Sequence, residues 1–520
     1  MPIFTPTLHT AVDYADLIST KEIESDLQRH LPPHTLMARA GLSASQLAKA
    51  LAPHARSVWI ACGPGNNGGD GLVAAVHIQK WMQAVGGTLW VSVDGNETSL
   101  PHDAQWALQE AKAAGITFSM PPMDQTIDLG LDALLGIGTS RTRRTEPSPI
   151  PSNMAELRRR CAALLCIDTP SDLNPFTGSA RWPGIRSNPK QLVQTLTLLT
   201  FKPGLTTGLG RDLAGPVWLD PLEPNASAAP AGQWVPPAIV WPTDPRRHAS
   251  HKGTHGDVWI LGGQTTSDGP NMLGAIVLAG RAALSAGAGR ATVIPVNSSP
   301  GFHLDPVCPE LMVCHQHPKH ALQQGTWVAG CGGGTAISEW IPQLLASNHP
   351  VVLDADALNQ IAANDAFQIA LKARKANGAI SVITPHPLEA ARLLKTSAES
   401  IQNDRLAAAH ELSHQFQCIC VLKGSGTVIS SPGSHSWING TGNSSLATAG
   451  TGDVLAGLLG GAIARIEKTI SREFQWQRTL EMTLQVVHAH GLAADTWPSG
   501  HAFSTSSLPN RAGYLLRGSL

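Results

Sequence analysis

The sequence lacks a strong excess of charge of either sign, and it contains no long hydrophobic run. Its 37 basic and 38 acidic residues give a formal net charge of −1, so the composition offers no basic surface for nucleic acid or an anionic membrane. No stretch of about 18 apolar residues occurs, which argues against a membrane-spanning helix. The first residues also lack the basic start and apolar run of a secretory signal. We therefore expect a cytoplasmic protein without nucleic-acid or membrane partners.

Cysteine pairs with metal or redox spacing are also missing. The 8 cysteines include no Cys-x-x-Cys pair, which argues against a structural zinc site or a dithiol redox centre. We expect buried, reduced thiols instead. Charged residues make up only 14% of the chain, whereas glycine and proline number 50 and 38. This balance is typical of a large α/β enzyme with many tight turns.

A chain of 520 residues is too long for one hydrophobic core. The Pro/Ala-rich segment 222–246 shows no helix or strand periodicity, and it predicts a linker between domains 1–221 and 247–520. Short apolar runs alternate with helical stretches in both halves, which predicts parallel sheets covered by helices on both faces. The predicted strands are 57–62, 89–93, 131–135, 164–167 and 196–200 in the first half, and 258–261, 291–294, 327–329, 351–353, 380–384 and 418–422 in the second.

A glycine-rich segment, Gly63–Gly71, connects the first of these strands to a helix predicted over 72–83. Loops of this kind direct backbone N–H groups and a helix N-terminus at anionic oxygen. Two later strands end in acidic residues, Asp132 and Asp168. Each aspartate can cap the next turn. If the strand ends meet at one sheet edge, oxygen ligands from Asn67, Asp132 and Ser171 can instead hold a hard cation, with Asp168 as an acid/base.

A second glycine segment, Gly450-Thr451-Gly452-Asp453, precedes an amphipathic helix in the second half. The helix N-terminus favours a transferring phosphoryl group, and Asp453 can take a proton from a hydroxyl nucleophile. The alternative is that Asp453 only caps the helix. Lys423 offers a cation for nucleotide phosphate, and His386 either contacts a substrate or closes a proline-bracketed turn. We assign no functional role to Asp354 or Asp356 from the sequence.

The first half contains four motifs, GPGNNGGDGLVAA, LDALLGIGT, IDTPSDLNPFTG and TFKPGL. They resemble the YjeF-like epimerase domain of bifunctional NAD(P)H-hydrate repair enzymes, over about residues 8–220. The resemblance implies a Rossmann-like three-layer sandwich that interconverts R and S hydrated NAD(P)H. It implies potassium at Asn67, Asp132 and Ser171, and Asp168 as the proton-transfer residue beside the nicotinamide. The implied substrate-binding residues are Asn66, Asn67, Gly68, Gly69, Asp70, Gly136, Ile137, Gly138, Thr139, Ser140, Arg141, Thr142 and Asp168.

The second half contains five segments, HKGTHGD, LGG, TPHPLE, LKGSGT and AGTGD. They resemble the ADP-dependent NAD(P)H-hydrate dehydratase domain, over about residues 247–500. The resemblance implies a ribokinase-like fold, ADP as phosphoryl donor, Mg²⁺, a homo-oligomer, and NADH or NADPH as product. It implies that Asp453 is catalytic. The substrate would contact Ala275, Gly333 in the loop Gly330–Gly334, His386 and Asp453, and ADP would contact Lys423, Gly424, Ser425, Gly426, Thr427 and Gly452.

Several residues depart from the patterns of these domains. Ala38 stands where the epimerase domain has Glu, and Ser140 and Asp172 stand where it has Gly. An additional carboxylate beside a dinucleotide phosphate would be repulsive, so we expect reduced epimerase activity. In the second half, Cys331-Gly332-Gly333-Gly334 replaces Pro-Gly-Leu-Gly, and Leu388 replaces a glycine. Leu388 would be strained if its backbone needed a positive φ.

Two alternative functions remain at this stage. The Gly-Thr-Gly-Asp segment is shared with ribokinase-type small-molecule kinases, so the second half can be such a kinase with an N-terminal nucleotide-binding or scaffold domain. Alternatively, the first half has lost its activity and only binds or supports. The sequence leaves open the oligomeric state, the preference between NADH and NADPH, and the strictness of ADP over ATP.

Overall fold

The computed structural model describes residues 10–139, 152–182, 190–223, 230–239, 248–266, 269, 271–297, 302–315, 324–467 and 469–516. The chain forms two compact units, Met1–Trp234 and Val235–Leu520. The division falls inside segment 222–246, for which the sequence predicts a linker. No helix in the described residues has both the length and the apolar character needed to cross a bilayer.

The first unit contains a parallel sheet in the strand order β3-β2-β4-β5-β6-β7. The chain order reverses between β2 and β4, so the loops that follow these strands flank the crevice where such sheets bind ligands. The elements of the unit are β1 (Val12–Tyr14), α1 (Leu17–His30), α2 (Thr35–Leu51), β2 (Ser57–Cys62), α3 (Asn66–Val85), β3 (Thr88–Val93), α4 (His102–Ala113), β4 (Ile127–Ala133), α5 (Ser152–Arg160), β5 (Cys161–Ile167), β6 (Leu192–Leu198), α6 (Gly210–Ala214) and β7 (Val217–Asp220).

One further strand, β8 (Gly232–Val235), pairs antiparallel with β1. It lies in the segment that the sequence predicts to lack periodicity, so that part of the linker prediction is wrong. The strand is held by its ladder with Val12–Tyr14, which lies far away in the sequence and leaves no local signal. Residues 224–229 and 240–247 of the predicted linker lie outside the described residues.

Helix α3 begins at Asn66, six residues before the predicted start at position 72. Gly65 precedes the helix in an extended conformation, so most of the glycine-rich motif is helical. A Cβ atom on Gly71 would lie 2.6 Å from the Cβ of Ala133 in β4. The glycines therefore let the first turns of α3 pack closely against the sheet, and only Gly63–Gly65 form the predicted loop.

The second unit is also built on a predominantly parallel sheet, in the order β17-β16-β15-β14-β13-β12-β9-β10-β11. Strands β9 to β15 run parallel, and β16 and β17 add antiparallel pairs at one edge. Its strands are β9 (Asp257–Gly262), β10 (Arg290–Pro295), β11 (Met312–Val313), β12 (Thr326–Ala329), β13 (Val351–Leu353), β14 (Ser381–Ile383), β15 (Ile419–Leu422), β16 (Val428–Ser430) and β17 (Ser436–Asn439).

Helices cover this second sheet, and each strand that the sequence predicts in either half overlaps an observed one. The chain order reverses around β9, which lies between β10 and β12. The helices are α7 (Leu273–Ser285), α8 (Ile341–Ala346), α9 (Ala355–Ala363), α10 (Asp365–Ala376), α11 (Pro387–Leu393), α12 (Ala398–Asn403), α13 (Arg405–Phe416), α14 (Thr451–Ala464), α15 (Arg472–Asp495) and α16 (Leu508–Leu516).

The thiols follow the prediction in part. The 8 cysteines all lie in the described residues and form no disulfide, and the buried ones are Cys62, Cys161, Cys166, Cys331, Cys418 and Cys420. Cys308 and Cys314 are only half-buried, so the expectation of burial is wrong for these two. Both lie in the segment around the short edge strand β11, which has fewer neighbours to cover it than a central strand.

Helix α14 is buried on nearly every side, so the predicted amphipathic pattern is wrong. Its sequence after Asp453 contains no charged residue up to Ala464, as expected for a helix inside a core. Helix α7 packs against α14 at two positions where α14 has glycine and therefore no side chain. A Cβ atom on Gly457 would overlap the carbonyl oxygen of Ala279, and one on Gly461 would overlap that of Ala283.

We expect Gly457→Val to destabilise the second unit by about 1–3 kcal/mol or more, because the valine side chain would force α7 away from α14. Gly274→Ala in α7 is the matched control, since a Cβ atom there meets open space and alanine favours a helix. Urea denaturation of the full chain measures both. Equal midpoints for Gly457→Val and the wild type would contradict the close helix contact.

Candidate active sites

A cavity of about 500 Å³ opens at the carboxyl ends of the strands in the first unit. The start of α3, the loop after β4 and the end of β5 all contribute to its lining. The predicted substrate-binding residues that line it are Asn66, Asn67, Asp70, Gly136, Ile137, Gly138 and Asp168. The fold therefore brings residues from three separate motifs to one concave surface.

Two predicted binding residues do not line this cavity. A Cβ atom on Gly68 would overlap the carbonyl oxygen of Gly63, and one on Gly69 would lie 2.5 Å from the terminal methyl group of Met37. These two glycines allow α3 to pack closely against its neighbours. They do not form part of the cavity wall. Thr139 ends the described loop, and Ser140, Arg141 and Thr142 lie outside the described residues.

Asp168 follows β5 in the left-handed backbone region, with a φ of 64°. Its carboxylate accepts a hydrogen bond of 2.5 Å from the Nζ of Lys202, which is fully buried. Lys202 also donates to the carbonyl oxygen of Leu198 at 2.7 Å. A non-glycine residue in this region is costly unless its surroundings hold it, and here the lysine fixes the carboxylate beside the cavity.

The predicted potassium ligands are arranged around the end of β4. Ser171 donates to the buried carboxylate of Asp132 through its Oγ at 2.5 Å and through its backbone N–H at 2.8 Å. Both polar atoms of the Asn67 side-chain amide are buried, and neither has a hydrogen-bond partner among the described residues. A buried amide without a partner is costly, so an ion or ligand beside Asn67 would satisfy it.

Several cavity residues were missed by sequence reasoning, and the charged ones among them include Lys202, Glu24 and Asp103. Lys202 belongs to the quoted TFKPGL motif, which was the available signal, whereas Glu24 lies on α1 without any motif. Burial and the nearby Asp168 carboxylate raise the pKa of Glu24. The same two causes raise the pKa of Asp70 well above its usual value. The surroundings of both carboxyl groups therefore favour the protonated form relative to a carboxyl group in water.

Asp172 does not face the cavity, so the expected repulsion of a dinucleotide phosphate is wrong. Its carboxylate is buried and receives two hydrogen bonds from the guanidinium of Arg158, at 2.8 and 3.2 Å. Both side chains are almost fully buried. Arg158 thus neutralises the residue that departs from the epimerase pattern. Ala38 does not line the cavity either, although its neighbour Met37 does.

In the second unit, Asp453 is the third residue of α14. The preceding cap position is Gly450, with a φ of 87°, and no side chain caps this helix. The alternative interpretation required Asp453 to be the N-cap of this helix, and the structure shows that it is not. Its carboxylate, the thiol of Cys331 and the carboxylate of Asp354 have atoms within 4.8 Å of one another. Burial and the charge of Asp354 raise the pKa of Asp453 to about 6.

Lys423 lies beside the same helix terminus. Its Nζ donates to the Asp354 carboxylate at 2.6 Å and would lie 3.5 Å from a Cβ atom on Gly452. Asp354 is almost fully buried and also accepts a hydrogen bond of 2.6 Å from the hydroxyl of Thr384. The sequence left Asp354 unassigned, and the structure places it between the predicted phosphate-binding lysine and the predicted base.

His386 is the N-cap of helix α11. Its Nδ1 accepts from the backbone N–H groups of Leu388 and Glu389, at 3.1 and 3.2 Å. This capping role agrees with the turn interpretation, and the substrate contact stays a prediction. Leu388 is helical and is not among the positive-φ residues, so the expected strain is wrong. Burial raises the pKa of Glu389 to about 7.

The remaining predicted residues form two loops. In the loop after β12, Gly330, Gly332 and Gly334 all have positive φ, and a Cβ atom on Gly332 would lie 3.1 Å from the Cβ of Ala275. Gly333 donates to the carbonyl oxygen of Gly330 at 3.0 Å. The second loop contains Gly424, Ser425, Gly426 and Thr427 and connects the antiparallel strands β15 and β16.

Both units match family models. Residues 33–204 match the model described as YjeF-related protein N-terminus, and residues 258–513 match the model for NAD(P)H-hydrate dehydratase. The chain is 34% identical over 485 residues to the bifunctional NAD(P)H-hydrate repair enzyme Nnr of Escherichia coli, which covers 89% of this chain and 86% of the relative. The chain belongs to the bifunctional NAD(P)H-hydrate repair enzymes.

Other members of this repair-enzyme family match over a similar extent. The bifunctional NAD(P)H-hydrate repair enzyme of Leishmania braziliensis is 32% identical over 513 residues, covering 88% of this chain and 84% of the relative. Among solved structures, an ADP/ATP-dependent NAD(P)H-hydrate dehydratase from Bacillus subtilis is 28% identical and covers 52% of this chain and 93% of its own, with a TM-score of 0.42. The family resemblance predicted for both halves is confirmed, as is the α/β fold class.

Proposed function

We propose that the first unit interconverts the R and S forms of hydrated NAD(P)H and that the second unit dehydrates the S form at the expense of ADP. Membership of the repair-enzyme family supports both activities. The observation that carries the dehydratase half is the position of Asp453 in the first turn of α14, with the Nζ of Lys423 beside Gly452. This arrangement puts a base, a cation and the N-terminus of a helix together.

In the first unit, we propose that Asp168 transfers the proton at the hydrated ring carbon. Its hydrogen bond to Lys202 holds the carboxylate in one orientation, which favours proton transfer at a fixed atom. Potassium fits beside the amide of Asn67, which has no partner in the part of the chain that the structure describes, and would be held with Asp132 and Ser171. The bound ion would supply positive charge for anionic substrate groups. Asn66, Asp70 and the loop from Gly136 would bind the nucleotide.

In the second unit, Asp453 accepts the proton of the ring hydroxyl as the hydroxyl oxygen attacks the terminal phosphorus of ADP. The bond from that phosphorus to the bridging oxygen breaks, and AMP leaves. Lys423 and the N–H groups at the start of α14 stabilise the charge on the transferring group. The ring nitrogen then expels phosphate, a better leaving group than hydroxide. Loss of a proton from the adjacent ring carbon to solvent completes the double bond and restores NADH or NADPH. The carboxylate of Asp354 offers an oxygen donor of the type that Mg²⁺ prefers, and that ion would neutralise the phosphoryl oxygens.

Other parts of the proposal rest on composition and family resemblance. We place the domain boundaries at 1–221 and 247–520, and we propose a cytoplasmic homo-oligomer that acts on small molecules without nucleic-acid or membrane partners. The substrate contacts of Ala275, Gly333 and His386, and the ADP contacts of Gly424, Ser425, Gly426 and Thr427, are part of the same proposal.

One experiment separates dehydration from the kinase alternative. The full chain is incubated with S-form NADH hydrate, ADP and Mg²⁺, while NADH absorbance and inorganic phosphate are followed together. The repair reaction predicts equal amounts of NADH and free phosphate. A ribokinase-type kinase would instead accumulate a stable phosphorylated product and no NADH, and that result would overturn the proposal.

The pH dependence of dehydration provides a further test. Asp453 acts as a base only when ionised, and burial raises its pKa to about 6. We therefore expect kcat/KM to decrease as the pH falls through about 6 and to approach a plateau above that value. Initial rates measured across this range, with enzyme stability checked at each pH, give the profile. A rate independent of pH between about 5 and 7 would exclude a base with this pKa.

A further inference from the structure

Two histidines and an aspartate converge at the mouth of the cavity in the first unit. His34 immediately precedes α2, and His102 and Asp103 begin α4. The Nδ1 of His34 lies 2.8 Å from the Oδ1 of Asp103, and the Nδ1 of His102 lies 3.5 Å from the same oxygen. One ligand atom of each residue lies within 4.8 Å of those of the other two. No motif in the sequence indicates this group.

We propose that His34, His102 and Asp103 form a binding site for a divalent transition-metal ion of the Zn²⁺ type. Imidazole nitrogen and carboxylate oxygen are its usual donors, bound at about 2.0–2.2 Å, which puts the donors of a tetrahedral site about 3.3 Å apart. The two measured separations bracket that value. The third separation, between the two imidazoles, is within 4.8 Å, so an ion that takes the place of the hydrogen bond between His34 and Asp103 can be reached by all three side chains.

The His34 imidazole is held in place for such a role. Its ring stacks on Trp106 with the ring centres 4.6 Å apart and an angle of 3° between the planes. The ring of His102 stacks nearby at 5.2 Å from that of His34. Partners that fix the ring orientation are a regular feature of histidine ligands. The site thus combines one oriented histidine with one, His102, whose side chain is 85% exposed and free to adjust.

Structural roles explain these residues less well. The His34 side chain makes no capping hydrogen bond to α2, although it occupies the cap position. The exposed His102 side chain contributes little to a core. An ion pair between His34 and Asp103 would explain why these two residues lie together, but it would not explain the position of His102.

The position of the site leaves room for further ligands. A pocket of about 400 Å³ is lined by all three residues, and Asn66 and Asp103 line both this pocket and the central cavity. Three protein ligands leave a fourth position of a tetrahedral ion open. That position would be available to water or to an anionic group that enters the cavity.

The test is a Zn²⁺ titration of the metal-free full chain by calorimetry, with Co²⁺ absorption spectra as a second measure of coordination. We expect one tight site, weakened at least tenfold in His102→Gln, His34→Gln and Asp103→Asn. The substitution of His102 is the cleanest because this side chain is so exposed that folding does not depend on it. His410→Gln with His414→Gln, an exposed and stacked pair on α13, is the matched control and should keep the tight site.

Some results would overturn this assignment. Zn²⁺ binding that is lost in the His410/His414 variant but unchanged in His102→Gln would place the site elsewhere. If the wild-type chain binds Zn²⁺ no more tightly than the His102→Gln chain does, the three residues form only an ion pair and no metal site. Circular dichroism of each variant confirms that the comparison is made between folded proteins. None of these measurements depends on epimerase or dehydratase activity, so the outcome is separate from that of the proposed function.

Discussion

Replacing Asp453 with asparagine is expected to lower kcat for ADP-dependent dehydration by about 10²–10⁴-fold, the usual contribution of a positioned general base. Asparagine keeps the size of the side chain but cannot accept the proton of the ring hydroxyl. ADP binding should be largely kept, because Lys423 and the backbone at Gly452 are unchanged. Dehydration of S-form NADH hydrate and ADP affinity by calorimetry measure the two effects separately.

A matched variant controls for the charge removed from a helix terminus. Glu473→Gln removes a carboxylate from the first turn of α15, where it is exposed, and it should leave kcat within about twofold because surface changes of this kind have small effects. The epimerase activity of the Asp453→Asn chain is a second internal control. If Asp453→Asn dehydrates at the wild-type rate, the proposed mechanism of the second unit is wrong.

Asp168→Asn is expected to abolish most epimerase activity, with a loss of about 10²-fold or more, while dehydration of pure S-form substrate stays normal. The same change leaves the buried ammonium of Lys202 without its countercharge, so we also expect the first unit to lose about 3–5 kcal/mol of stability. Activity on mixed epimers and thermal unfolding of the full chain report these two consequences.

A double variant separates chemistry from folding in this experiment. Lys202→Met combined with Asp168→Asn removes the unpaired charge and should recover much of the lost stability, but not the activity. Asp212→Asn, on the exposed surface of α6, is the control with no expected effect on either measurement. Wild-type epimerisation by Asp168→Asn would support the alternative that the first unit is a scaffold.

The sheets were predictable from the sequence because buried parallel strands consist of apolar runs with clear ends. Strands such as 57–62 and 351–353 match the observed β2 and β13 residue for residue. Asp168 and Asp453 could be singled out because each lies where a motif meets a strand end or a helix start. Helix α3 was placed too late because its glycines suggest a loop, whereas close packing against β4 makes them helical.

The partners of the key residues could not be predicted. Lys202 is 34 residues from Asp168, and Lys423 is 69 residues from Asp354, so each pair forms only when separate strands align. Nothing near Asp354 in the sequence distinguishes it from Asp356, and only the sheet order puts it beside Lys423. The effect of Asp172 was misjudged for the same reason, since its neutralising partner lies on the preceding helix.

The buried pair of Arg158 and Asp172 has a consequence for reading sequence variation in this family. Each residue is tolerated only with the other, because either one alone would be a charge enclosed in the protein without compensation. A saturation screen would therefore score each position as intolerant of change, although neither side chain lines the cavity. Relatives with glycine in place of Asp172 should also lack the arginine, so the two positions should covary.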